Sequence, residues 1–132
     1  MKEQDENNAK EKGIKNNQDI TDQGKLYDTS LVESVSTNNP AFFKKMIVLF
    51  VDTVSNDFEL LKAEATKNNW KEVGQIAHKL KSTISSFKVD SLVPYTKELE
   101  IGTNDSLTVI KKLEDGLLKV LSQIKTDYKQ LF

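Results

Sequence analysis

Between Pro40 and Lys67 the apolar residues Phe43, Met46, Ile47, Phe50, Val54, Phe58, Leu61 and Ala65 fall along one line of a helical period. A strand would bury alternate residues, so this stretch predicts a long helix with one face that must be covered. Asn39 is its expected N-cap, and Pro40 takes the first helical position, where a missing N–H costs nothing. The covers are predicted further along. After a break at "KNNWKEV", with Asn69 as cap and Glu72 three residues on, Val73, Ile76, Ala77, Leu80, Ile84 and Phe87 form a second stripe. A shorter helix offers Leu92, Tyr95 and Leu99, its start blurred because Pro94 pushes Val93 away from the α region. Gly102 stops it, Asn104 or Asp105 caps the next, and Ile110, Leu113, Leu117, Leu121, Ile124, Tyr128 and Leu131 make the last stripe. Upstream, "DTSLVESVS" predicts a short helix, with Ser30 and Glu33 at capping-box spacing and Leu31, Val32 and Val35 on one face. No strand pattern competes. The expected fold is all-α: an antiparallel up-down four-helix bundle with a short N-terminal capping helix.

A chain of 132 residues suits one domain. Residues 1–25 are mostly Lys, Glu, Asp, Asn and Gln and are expected to be a disordered polar tail, leaving 26–132 as the bundle domain. With 19 Lys and Arg against 20 Asp and Glu, no basic field recruits nucleic acid or anionic lipid. The absence of cysteine excludes disulfides and thiolate chemistry, and a single histidine makes a zinc site improbable. No apolar run is long enough for a membrane span, and the N-terminus lacks the apolar segment of a signal peptide, so a cytoplasmic protein is expected. One stripe per helix leaves no second seam, which points to a monomer.

The single histidine, His78, lies on the second bundle helix. At roughly 100° per residue it sits about 150° from the centre of that helix's apolar arc, and so faces solvent. Residues three, four and seven away share its face: Lys71, Gly74, Gln75, Lys81, Ser82 and Ser85. Gly74 stands out, because glycine inside a helix costs about 0.5–1 kcal/mol relative to alanine. On an exposed face packing does not explain that cost, so close approach of a partner is the expected reason. Taken by pattern alone, a solitary exposed His or Lys is more often a solvated side chain than a functional one.

The stretch "AHKLKSTISSFKVDSLVPYTKELE" resembles the signature of the histidine phosphotransfer (HPt) domain: His, one residue, Leu, Lys and then small residues on the second helix of a four-helix bundle. The preceding "PAFFKKMIVLFVDTVSNDFELLKAEATKNNWKEVGQIAHKLK" is similar to the family's long first bundle helix and the turn before a tryptophan. The resemblance implies that His78 accepts the phosphoryl group and that Lys81 is the cation beside it. Lys71, Gly74, Gln75, Lys79, Ser82 and Ser85 would form the docking surface for a receiver domain. The chain departs from the family pattern at Ser82 and Lys88, where glycine is common. The first departure slightly narrows the docking site, and the second bears on how the helix ends.

The chemistry fits this resemblance. An imidazole of ordinary pKa, near ~6.5, has a free lone pair at pH 7 and attacks phosphorus without a general base. No cofactor is expected on this chain; with no obvious carboxylate cluster around His78, the Mg²⁺ would come with the partner receiver. No Gly-rich phosphate loop is present, so no autokinase activity is expected. The implied partners are response-regulator receiver domains and a hybrid sensor histidine kinase. An adaptor bundle that binds signalling partners without accepting phosphate is the alternative.

Overall fold

The computed structural model describes residues 24–132; the polar tail expected over residues 1–25 lies, up to residue 23, outside them. The elements are α1 (Ser30–Val35), α2 (Pro40–Thr66), α3 (Trp70–Ser86), α4 (Val93–Ile101) and α5 (Ser106–Asp127), with 3-10 turns at Asp90–Leu92 and Lys129–Leu131. Among the described residues there is no strand. The helices form a bundle in which α2 packs on α3, α3 on α4 and α4 on α5, while α5 returns to touch α2 and α1 lies against α2.

The predicted stripes supply the core. Ile47, Phe50, Val54, Phe58, Leu61 and Ala65 of α2 are buried with Val73, Ala77, Leu80 and Ile84 of α3 and Leu113, Leu117 and Ile124 of α5. Each valine, leucine, isoleucine or phenylalanine among them contributes about 1.5–3 kcal/mol on leaving water, and each alanine less. Valines that the stripes left out, Val51, Val89, Val109 and Val120, are also buried. Val51, Val109 and Val120 occupy the shoulders of their stripes, where a helix in a bundle meets two neighbours instead of one, and Val89 lies in the turn after α3.

The helix ends follow local chemistry, with some differences from expectation. The Asn39 side chain accepts a hydrogen bond from the Phe42 N–H, as an N-cap should. Asn69 precedes α3 but caps it with no side-chain bond; its amide instead donates to Glu64 at 2.8 Å, tying the turn to α2. In α1 the residue before the helix is Thr29, not Ser30, and its hydroxyl donates to Glu33 at 2.6 Å. Only Val32 of α1 is buried, with Leu31 and Val35 exposed, since so short a helix can turn only one narrow strip inward. Val93 is helical, with φ −57° and ψ −42°, against the expectation set by Pro94. The 3-10 turn before it, with Leu92 buried, leads the chain into α4 and overrides the pre-proline preference. Gly102 ends α4 with φ +97°, a conformation glycine adopts without strain.

The end of α3 is built on Lys88. Lys88 N–H donates to the Ser85 carbonyl and Val89 N–H to the Ile84 carbonyl, the paired bonds of a Schellman stop, with Val89 and Ile84 both buried. Lys88 thus takes the left-handed φ of +52° that the family's glycine would adopt freely. Beyond it, Tyr27 and Phe87 are buried together, and Phe87 stacks on Phe50 with centroids 3.9 Å apart. The segment before α1 is fastened there by the Asp28 N–H to the Phe87 carbonyl at 2.7 Å and the Tyr27 hydroxyl to Asp127 at 2.6 Å. Replacing Lys88 by glycine relieves the left-handed strain but adds freedom to the unfolded chain, so Lys88→Gly is expected to stabilise the bundle by about 0.5–1 kcal/mol. A rise in the urea midpoint at unchanged slope would show it; a fall would mean that Lys88 makes a contact worth more than the strain.

Candidate functional site

The outer face of α3 presents the histidine. Its side chain is 70% exposed, whereas Ala77 and Leu80 on either side of the position are buried. Lys71, Gln75, Lys79, Ser82 and Ser85 are exposed on the same helix. Lys79 leans to α2, where its ammonium lies 3.4 Å from Asp57.

Gly74 does not behave as expected. It is half-buried, and a Cβ placed on it would lie 3.4 Å from the Leu99 carbonyl oxygen and 3.5 Å from that of Glu100. The backbone of α4 thus comes to ordinary contact distance of this position, within the domain, so the face around Gly74 is less open than expected. A methyl group would just touch α4, but a longer side chain would have to push it away.

That approach brings Glu100 to the histidine. One carboxylate oxygen of Glu100 accepts from Lys81 Nζ at 2.8 Å, and the other is hydrogen-bonded to His78 Nδ1. The Glu100 side chain is 20% exposed and that of Lys81 27%, so both stand behind the more open imidazole. Lys81 first, and His78 to a smaller extent, hold the Glu100 carboxyl below its usual pKa, against the opposing effect of burial. At neutral pH Glu100 is thus ionised and can only accept hydrogen bonds. The proton in its contact with the imidazole therefore belongs to Nδ1, which in a neutral ring leaves the lone pair on Nε2. Among the described residues Nε2 has no hydrogen-bond partner.

Glu100 has no role in the sequence-based expectation, and the structure adds this single carboxylate to the site. Nothing in the local pattern of α4 marks Glu100, because its role depends on the register of α3 against α4. The available signal was the costly Gly74, a glycine where another helix had to come close. Among the described residues no group of three or more His, Cys, Asp or Glu is arranged to hold a metal ion.

An exposed imidazole, backed by a carboxylate and a lysine on the second long helix of a bundle, is the setting in which the family comparison falls. The model of the Hpt domain family matches residues 45–130, from α2 to the end of the last helix. The chain belongs to the Hpt domain family. Membership carries histidine phosphotransfer in two-component phosphorelays with it, and interaction with receiver domains and kinases. No curated protein and no solved structure matches the chain significantly. Among the described residues no helix of this Hpt domain is long and apolar enough to cross a membrane.

Two measurements test this geometry. Gly74→Ala is expected to be neutral or slightly stabilising, whereas Gly74→Leu overpacks the α3–α4 seam and should cost about 1–3 kcal/mol. A thermal melt of Gly74→Leu at or above that of the wild type would show that α4 does not lie against this position. The second measurement is a titration. Because its folded pKa is depressed, Glu100 contributes stability that is fully present above the ordinary carboxylate pKa and is lost as pH falls through its own lower value. A carboxyl-carbon NMR titration should find Glu100 ionising below the ordinary glutamates, and Lys81→Ala should return it toward them. A Glu100 curve unmoved by that substitution would remove the ion pair from the account.

Proposed function

We propose that this Hpt domain accepts a phosphoryl group on Nε2 of His78 from the aspartyl phosphate of a receiver domain and passes it to the aspartate of another. The observation that carries the reading is the Glu100–His78 Nδ1 contact, which leaves the lone pair on an unpartnered Nε2 of an exposed ring. In the transfer, the Nε2 lone pair forms a bond to phosphorus while the bond from phosphorus to the aspartyl oxygen breaks, and that carboxylate leaves with the electron pair. The ring gains positive charge, keeps its Nδ1 proton, and is stabilised by the Glu100 carboxylate. Lys81, one turn along α3, moves its ammonium from Glu100 toward the incoming phosphoryl oxygens as a point charge.

No cofactor acts on this chain in that scheme, and Mg²⁺ belongs to the receiver. The domain works as a monomeric, antiparallel up-down four-helix bundle in the cytoplasm. Its partners are response-regulator receivers and a hybrid sensor histidine kinase, bound through a transient interface around Lys71, Gln75, Lys79, Ser82 and Ser85. Gly74 belongs to this surface only indirectly, through the α4 that it admits.

The test is incubation with phosphorylated receiver domain and detection of acid-labile phosphate. His78→Gln is expected to fold normally and accept none. Lys81→Ala removes a charge-assisted contact of about 1.5–3 kcal/mol and should slow transfer roughly ten- to a hundredfold without abolishing it. Glu100→Gln should also slow transfer, and nitrogen NMR of the imidazole should show His78 losing its single tautomer. Acid-labile phosphate on His78→Gln, or none on the wild type with any receiver, would leave the chain as an adaptor bundle.

A further inference from the structure

The surface around His78 is polar. Lys71, Gln75, Lys79, Ser82 and Ser85 can steer an acidic partner, but they supply no apolar contact to hold it. Beside them the bundle opens a cleft of about 640 Å³ between the start of α3, the end of α4 and the start of α5. Its walls include three large apolar side chains left in water: Trp70 at 38% exposure, Ile101 at 85% and Leu107 at 70%. These come from three different helices, and the folding of the domain does not use the exposed parts of any of them.

The cleft is continuous with the phosphotransfer site. Lys71 and Glu100 line both, and Ile101 directly follows the glutamate that touches the imidazole. Along α3, Trp70 lies eight residues from His78, or about 12 Å at the helical rise. A small transient interface covers roughly 600 Å² on each partner, a disc of about 14 Å radius. An interface of that size centred on His78 extends to the Trp70 edge of this cleft.

Resting on the phosphotransfer reading above, we infer that the Trp70–Ile101–Leu107 cleft is the apolar anchor for the receiver domain, filled by apolar side chains beside that domain's phosphorylation site. An aromatic and two aliphatic side chains at one spot, rimmed by polar groups, are what a few-residue binding hot spot requires. The anchor governs how tightly a receiver is held. His78, Lys81 and Glu100 govern the chemistry.

The experiment uses the full chain and receiver domains from the same genome, loaded beforehand with acetyl phosphate and Mg²⁺. The receiver that transfers fastest to the wild type is titrated against wild type, Ile101→Lys and Leu107→Ser, each checked for unchanged helical circular dichroism and melting. The half-saturating receiver concentration is expected to rise at least tenfold for Ile101→Lys and to rise also for Leu107→Ser. Half-saturation unchanged in both variants, with the wild type phosphorylated normally, would overturn the anchor and leave the phosphotransfer reading standing. Failure of the wild type with every receiver would instead remove that reading. If sedimentation showed a wild-type dimer that Ile101→Lys dissolves while half-saturation stays the same, the occupant would be a second copy of the chain and the receiver anchor would be overturned.

Discussion

The contact on which the site depends is the bare backbone of Gly74 against the carbonyls of Leu99 and Glu100. A larger side chain there would hold α4 further from α3, and the Glu100 carboxylate would no longer span His78 Nδ1 and Lys81 Nζ together. The glycine costs helix propensity of about 0.5–1 kcal/mol relative to an alanine whose methyl group would meet α4 at ordinary contact distance; what the position keeps out is a side chain longer than that. The ion pair does not set that distance. Partly exposed pairs contribute about 0–1 kcal/mol, too little to pull two helices into register. Burial of Val73, Ala77, Leu80 and Ile84 on the opposite side of α3, and of Thr96 and Leu99 on α4, fixes the register, and the charged groups are carried along by it.

The far end of α3 is held differently. There Phe87 meets Phe50 in a stacked pair and Tyr27 at a tilt, and the chain before α1 is tied to Phe87 and Asp127 by hydrogen bonds. Burial, followed by the hydrogen bond to Asp127, raises the Tyr27 hydroxyl well above its ordinary pKa, so it remains a neutral donor at any physiological pH. This end of the helix is apolar, closed and fixed by a Schellman turn. The end near Trp70 is open and bordered by exposed apolar groups. The histidine lies between the two, on a helix rigid enough to hold it and next to a surface that the fold leaves uncovered.

The sequence carried the helices, because a period of three and four residues reports burial directly. It also carried the exposure of His78, since helical geometry alone turns that position outward. What escaped it depends on neighbours distant along the chain. Thr29 in place of Ser30 at the start of α1, and a helical Val93 before Pro94, were decided by how the segments pack. Gly74 was singled out as costly, but the nearness of α4 to it was not foreseen, because periodicity within one helix cannot tell an open face from one that a third helix approaches. Glu100 was missed for the same reason. It lies inside the stretch that carries the family resemblance, yet only the pairing of α3 with α4 brings it to the histidine.

The division of exposure within the site bears on how a relay can be reversible. His78 is open, while Lys81 and Glu100 stand behind it and are each about three-quarters covered already. Before a partner arrives, water and salt screen what remains of their field, and Lys81 stays with Glu100. On the phosphotransfer reading, a docking domain removes that water, and the same charges then act through a lower effective dielectric. Lys81 is drawn to the phosphoryl oxygens and Glu100 to the imidazolium at the moment both charges develop. When the partner leaves, the screening returns and neither interaction is strong enough to trap the phosphoryl group. A fully buried lysine and glutamate would hold their charges tightly in every state, and a fully exposed pair would hold them in none. Partial burial lets the partner itself control the strength of the site.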